Sequence, residues 1–234
     1  MQKKEEKMYS ALLVIIYLAF ISLGLPDTLL GSAWPQMHIE LNASLSSAGI
    51  ITMIISLGTV ISSLFSDRLN IKLGTGKVTA ISVLMTAVAL LGFSLSHSFI
   101  ILCVLAVPYG LGAGAVDAAL NNYVALHYSS KHMSWLHCFW GVGASIGPYI
   151  IGTCMAHGLG WRGGYSVISV LQFTLTAALF ITLPLWKKVE NSENNVSNGN
   201  NESTQEEPQE RKAKSFSEVL HIKGVIYILF AFFC

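Results

Sequence analysis

Charge is scarce in this sequence. Only 12% of its 234 residues are Asp, Glu, Lys or Arg, about half of what a soluble domain carries. Set against 53% hydrophobic residues and a mean hydropathy of +0.57, that scarcity excludes an ordinary soluble domain. The net charge is only +1, so the chain also lacks the basic face that a nucleic-acid binder needs. Cysteine is sparse too. Cys103, Cys138, Cys154 and Cys234 lie in apolar runs without CxxC or metal-ligand spacing, which speaks against a disulfide framework or a zinc site and leaves them as small packing residues in a membrane. No small-residue cleavage site follows the first apolar run, and five more runs come after it, so it reads as a retained span and not a signal peptide. HExxH and paired-acid motifs are absent as well. An enzyme in the membrane would need such a nucleophile or metal pair, so neither an enzymatic activity nor a cofactor is expected.

What the sequence has in quantity is long apolar runs. Crossing about 30 Å of hydrocarbon takes about 20 apolar residues in a helix. Six stretches reach that length, approximately 9–30, 47–65, 78–95, 99–126, 135–155 and 164–185. In lipid every backbone polar group needs an internal partner, and the repeated length fits helices and not barrel strands. The expected fold class is an all-α multi-pass membrane protein: a cytoplasmic N-terminus (1–8), a six-helix transmembrane domain (9–185), a hydrophilic cytoplasmic linker (186–222) and the start of a truncated seventh helix (223–234). The linker, rich in Asn, Ser, Glu and Gln, cannot bury enough apolar surface to order itself.

Orientation follows from Lys and Arg. With the N-terminus inside, Lys3, Lys4, Lys7, Arg68, Lys72, Lys77 and Lys131 all fall on the cytoplasmic side, as do the six of the linker region, and only Arg162 falls outside. Trp34, Trp135, Trp161 and Trp186 stand near span ends, where interfacial anchors are expected.

Two acids remain inside the spans, Asp27 and Asp117, with no Lys or Arg beside them. Intramembrane carboxylates are expensive and are functional candidates by default. They share a local pattern, Gly24-x-x-Asp27-x-x-Leu30 in the first span and Gly114-x-x-Asp117-x-x-Leu120 in the fourth. These spans open two successive trios, and three spans followed by three more are two inverted repeats, a construction many secondary transporters use. In the fourth span Gly110, Gly114, Asp117 and Asn121 share one face, which must look onto other helices or a wet cavity. The glycines there read as close helix packing. Asn122 and Tyr123 extend the polar region. In the first span Tyr17, Phe20, Gly24 and Asp27 line up, with Pro26 free to kink the helix at the acid; Asp27 is either a cavity group or an interfacial structural one. His137 and Trp140 in the fifth span offer a polar group beside an aromatic plane, a pairing that suits a sugar. The alternative is a core histidine and a packing tryptophan. His127, His132 and His137 are spaced by five, which turns them apart and argues against a metal site.

These features resemble the amino-terminal half of a major facilitator superfamily transporter. Ser63-x-x-x-Asp67-Arg68 with Lys72 is similar to the superfamily's cytoplasmic loop signature, although Ser63 and Asn70 replace two of its glycines. The resemblance implies a gating loop built on Asp67, Arg68 and Lys72. Within the superfamily, AGAVDAALNNYVAL resembles the fucose:proton symporter branch, whose fourth helix carries an acid and an asparagine four residues on. Here these are Asp117 and Asn121, with Tyr123 as the aromatic that follows; Asn122 replaces the branch's proline and Asp117 its usual glutamate. PDTLLGSAWP resembles that branch's first helix, which makes Asp27 a protonatable group, and His137 stands where the branch often has a sugar-contacting amide. Gly143-x-x-x-Gly147-Pro148-x-x-x-Gly152 is similar instead to a motif of proton-driven exporters.

The resulting expectation is half of a carrier in the plasma or inner membrane that moves a small polar solute, a sugar first, by proton-coupled alternating access. Asp27 and Asp117 would couple protons, and Asn121, Asn122, Tyr123, His137 and Trp140 would contact substrate. Its partners would be the solute, a proton, the bilayer and a missing carboxy-terminal half. An exporter of amphipathic compounds and a non-transporting scaffold are the rival readings.

Overall fold

The computed structural model describes residues 2–199 and Val225, with side chains from 8 to 189 and at Val225. It is helical throughout, and no strand occurs among the described residues: α1 (Gln2–Asp27), α2 (Leu29–Glu40), α3 (Ala48–Leu73), α4 (Thr75–Leu95), α5 (Phe99–His127), α6 (Ser130–Ala156) and α7 (Gly160–Gly199), with a short 3-10 turn at Leu45–Ser47. Together they provide six helical stretches long and apolar enough to cross a membrane.

The number of spans agrees with the hydrophobic runs, but several ends do not. The first span runs Met8–Glu40, 33 residues, ten residues beyond the expected end at Leu30. It is α1 and α2 joined through Thr28, directly after Pro26. A proline lacks the N–H that would bond four residues back, and it breaks the helix locally without ending the span. α3 likewise continues past Phe65 through the polar stretch SDRLNIKL and stops at Gly74, whose φ of 81° is a left-handed conformation that a glycine adopts freely. The sixth span was expected to end at Leu185, yet α7 continues helically to Gly199. Hydropathy marks the part of a helix that sits in hydrocarbon, whereas a helix ends where its hydrogen bonding ends. The rest of the expected linker and the seventh helix lie outside the described residues, Val225 apart.

Packing follows the two trios. α3 lies on α5 and α1 lies on α6, while α4 packs on α7. Exchanging the trios turns the second-on-fourth contact into the fifth-on-first and leaves the third-on-sixth unchanged, as an inverted repeat requires. The glycines of the shared pattern obey the same symmetry. A Cβ on Gly24 would run into the Trp140 carbonyl of α6, and one on Gly114 would run into the Thr59 carbonyl of α3. Each glycine lets its helix approach the backbone of the middle helix of the other trio. Gly110, against the Ile55 carbonyl of α3, is likewise a packing residue.

Two apolar clusters fill the bundle. One, toward the Arg162 end, gathers Leu29, Trp34, Phe93, Tyr109, Trp161 and Tyr165. The other, toward the Lys131 end, gathers Leu12, Phe20, Leu120, Tyr123, Leu179 and Trp186. Trp34, Trp161 and Trp186 are therefore buried between helices and do not serve as rim anchors; Trp135 remains exposed. At the Arg162 end, Glu40 accepts from the Arg162 guanidinium and, at 3.0 Å, from Trp161 Nε1, while Arg162 also donates to the Ser96 carbonyl at 3.1 Å and 3.3 Å. This clamp ties the end of α2 to the start of α7 and to the turn between α4 and α5. Gln172 and Ser22 join α7 to α1 deep inside, through bonds of 2.6 Å and 2.7 Å between buried groups.

Candidate functional site

Asp27 stands where α1 breaks, and the break aims its carboxylate between α5 and α6. Tyr109 Oη of α5 donates to Oδ1 at 3.2 Å, and Trp140 Nε1 of α6 donates to Oδ2 at 2.9 Å. Both donors are neutral. No Lys or Arg contacts the carboxylate among the described residues. The residue is nonetheless exposed, because the groove between the helices is open on its far side.

Asp117, on α5, is half-buried and accepts from Asn121 Nδ2 at 3.0 Å. The same Nδ2 bonds the Asp117 carbonyl at 3.0 Å, so one amide fixes the side chain to its own helix. Asn121 Oδ1 is buried with no hydrogen-bond partner, an acceptor waiting beside an acid. Asp27 and Asp117 lie within electrostatic reach of each other, and His137 is within reach of Asp117. His137 is exposed and sets its ring edge-on to Phe20 at 6.2 Å. Trp140 is 38% exposed, so part of the indole stays open beside the Asp27 carboxylate it bonds.

Asp27, Asp117, Asn121, His137 and Trp140 are thus brought to one groove formed by α1, α5 and α6. The other expected site residues are not. Tyr123 is buried in the cluster of the Lys131 end, stacked on His127 with ring centroids 4.1 Å apart and 5.1 Å from Trp186; it turns about 120° from Asp117 around the helix and belongs to the core. Asn122 is exposed, but five residues on from Asp117 it turns about 140° away from the carboxylate. Asp67, Arg68 and Lys72 do not form a loop: they ride exposed on the last turns of α3, and the connection to α4 is Gly74 alone. The three histidines diverge as their spacing requires. His127 bonds the Tyr123 carbonyl and His132 bonds Tyr17 Oη at 2.7 Å, while His137 faces the groove.

Tyr109 was not legible as a site residue. It sits one position before Gly110, and only the packing of α5 against α1 shows that its hydroxyl points at an acid. The available signal was a phenol within a span, eight residues ahead of Asp117.

The family model described as Major Facilitator Superfamily matches residues 16–234. The chain belongs to this superfamily of membrane transporters, and it is a transporter-family protein and not an enzyme. Among curated proteins it is 26% identical over 116 residues to "Uncharacterized transporter y4wD" of Sinorhizobium fredii, a match covering 48% of this chain and 31% of that protein. It is 25% identical over 181 residues to "Synaptic vesicle glycoprotein 2B" of Rattus norvegicus, covering 74% and 26%. "Quinolone resistance protein NorA" of Staphylococcus aureus is 26% identical over 141 residues, covering 58% and 35%. The matches span about a quarter to a third of the length of these relatives.

Proposed function

We propose that the chain forms one six-helix half of a proton-coupled carrier for a small polar solute, with a sugar as the first candidate. The observation that carries this reading is the groove between α1, α5 and α6, which holds Asp27 and Asp117 within reach of each other and no membrane-depth cation among the described residues. A carboxyl without a basic neighbour can hold a proton when dry and release it when water enters, and alternating access supplies that change of solvent. Asn121, His137 and the exposed part of the Trp140 indole supply the hydrogen-bonding groups and the aromatic plane that suit a hydroxylated ring. The resemblance to the fucose:proton symporter branch supports the same choice.

The second reading is a proton-driven exporter of amphipathic compounds. It is favoured by the likeness to a protein named for quinolone resistance and by the indole of Trp140 beside Asp27. The two readings differ in direction. In proteoliposomes of the complete carrier, an imposed pH gradient should drive a labelled sugar in the same direction as the protons. Movement of an amphipathic compound against the proton flow, with no sugar flux, would reject the first reading in favour of the second.

The proposed orientation places the N-terminus and the Lys131 end in the cytoplasm of a plasma or inner-membrane protein. Arg68, Lys72, Lys77, Lys131, Lys187 and Lys188 belong to one end of the bundle and Arg162 to the other, and the positive-inside rule then gives the direction. In a cysteine-depleted background, an impermeant thiol reagent added to intact cells should label a cysteine at Leu159 and leave one at Ser197 untouched. Labelling at Ser197 would reverse the orientation.

A further inference from the structure

The two donors that hold Asp27 are of different kinds. An indole N–H can only donate, whereas a phenol hydroxyl both donates and accepts. Trp140 reaches Oδ2 at 2.9 Å and Tyr109 reaches Oδ1 at 3.2 Å, so the two carboxylate oxygens face different chemistry. A proton placed on Oδ2 would set an O–H against an N–H, two donors facing each other. A proton placed on Oδ1 would meet an oxygen with lone pairs to offer.

We infer that Asp27 takes its proton on Oδ1, and that Tyr109 is the positioning residue that permits this by reversing its hydroxyl from donor to acceptor. The inference rests on the proposed proton-coupling role of Asp27. In the charged state both neighbours donate to the carboxylate. In the neutral state one proton has been taken up on the carboxyl, Oδ1–H donates to Tyr109 Oη, and Trp140 still donates to Oδ2. The carboxyl then keeps a protein partner for each oxygen in both states. The reversal leaves the Tyr109 hydrogen in need of a new acceptor, and Tyr165 of α7, whose ring packs on Phe93 as that of Tyr109 does, carries a hydroxyl in the same cluster.

The other titratable groups around Asp27 are Asp117 on α5, His137 on α6 beyond Asp117, and Tyr165 on α7 behind Tyr109. α2 carries His38 and Glu40, and Glu40 is engaged by Arg162. The group bonded to Oδ1 is the Tyr109 hydroxyl. Tyr109 is 4% exposed and packs its ring 6.4 Å from Phe93 of α4, so the hydroxyl can turn about its own C–O bond while the ring stays fixed. That rigidity separates Tyr109 from a mobile substrate contact.

The test is pH-difference infrared spectroscopy on the 234-residue chain in lipid vesicles. Expected is a carboxyl C=O band that disappears as pH rises and is missing in Asp27→Asn. Over the same pH range a tyrosine C–O band should shift, because that vibration responds to whether the hydroxyl donates or accepts. The tyrosine shift should be lost in Tyr109→Phe and retained in Trp140→Phe, so the result does not depend on a single variant folding. An Asp27 carboxyl band without a tyrosine shift, or a shift that survives Tyr109→Phe, overturns the role of Tyr109 and leaves proton coupling standing. Absence of any Asp27 carboxyl band across the pH range overturns both.

Discussion

Asp117→Asn in the complete carrier should reduce uptake driven by a pH gradient to the level of empty liposomes, while exchange of labelled for unlabelled solute continues within about threefold of its normal rate. The amide has nearly the shape of the carboxyl and can still pair with Asn121, whose Nδ2 lies 3.0 Å from Oδ1; a rotated amide would in turn give the orphaned Asn121 Oδ1 a donor. Geometry and solute contacts therefore survive. What is lost is the capacity to carry a proton at neutral pH, and exchange does not need that capacity because the carrier never returns empty. Asp27→Asn should show the same separation of driven uptake from exchange. Here the amide can also keep both neighbours, accepting from Trp140 through its oxygen and donating to Tyr109 through its nitrogen. Each single variant is measured in proteoliposomes under an inward proton gradient and then under symmetric pH with solute on both sides. Driven uptake that is unchanged in both variants would remove the acids from the coupling mechanism. Loss of exchange along with driven uptake would make them solute-binding groups instead.

How much of this was legible in the sequence depended on the physical signal behind each feature. Six spans could be read because lipid imposes a minimum apolar length. The acids could be read because a carboxylate at that depth is too expensive to be incidental. The repeated Gly-x-x-Asp pattern was legible as a pattern, but its cause was not. That cause is the closeness of α1 to α6 and of α5 to α3, a property of pairs of helices. Helix ends were misplaced at α2, α3 and α7 because polar residues outside the hydrocarbon can continue a helix at no penalty to insertion. The same error turned Asp67, Arg68 and Lys72 into a loop. The burial of Tyr123 in the core and the contact of Tyr109 with Asp27 escaped the sequence for one reason. Two tyrosines on the same helix differ in role by which neighbour each meets, and a single sequence gives the angle around the helix without saying what stands at that angle.

Gly143→Leu should prevent the chain from accumulating as a folded protein, or lower its thermal midpoint more than any single polar substitution in the bundle. A Cβ at Gly143 would run into the Ile21 carbonyl of α1, as one at Gly147 would into that of Leu25 and one at Gly24 into that of Trp140. These contacts are backbone against backbone. A flexible side chain could swing aside, but a carbonyl in the middle of a helix cannot, so α1 and α6 would have to separate along the whole seam. Overpacking a yielding core costs about 1–3 kcal/mol, and an unyielding seam belongs at or beyond the top of that range. Separation by about 1 Å would also stretch the Trp140 bond to Asp27 from 2.9 Å to well past the usual hydrogen-bonding range of about 3.2 Å, so any Gly143→Leu protein that does fold should have lost its acid–indole contact. Gly141 and Gly31 provide the control, since nothing lies within 4 Å of a Cβ built on either. Gly141→Ala and Gly31→Ala should leave the midpoint unchanged or raise it slightly, because alanine favours a helix over glycine by about 1 kcal/mol. The measurement is the thermal midpoint of the purified chain in one detergent for all variants, followed by loss of the monodisperse peak on gel filtration. If Gly143→Leu stays within a degree or two of the parent while Gly141→Ala falls, the seam between α1 and α6 is not where the close approach lies, and the placement of Trp140 against Asp27 falls with it.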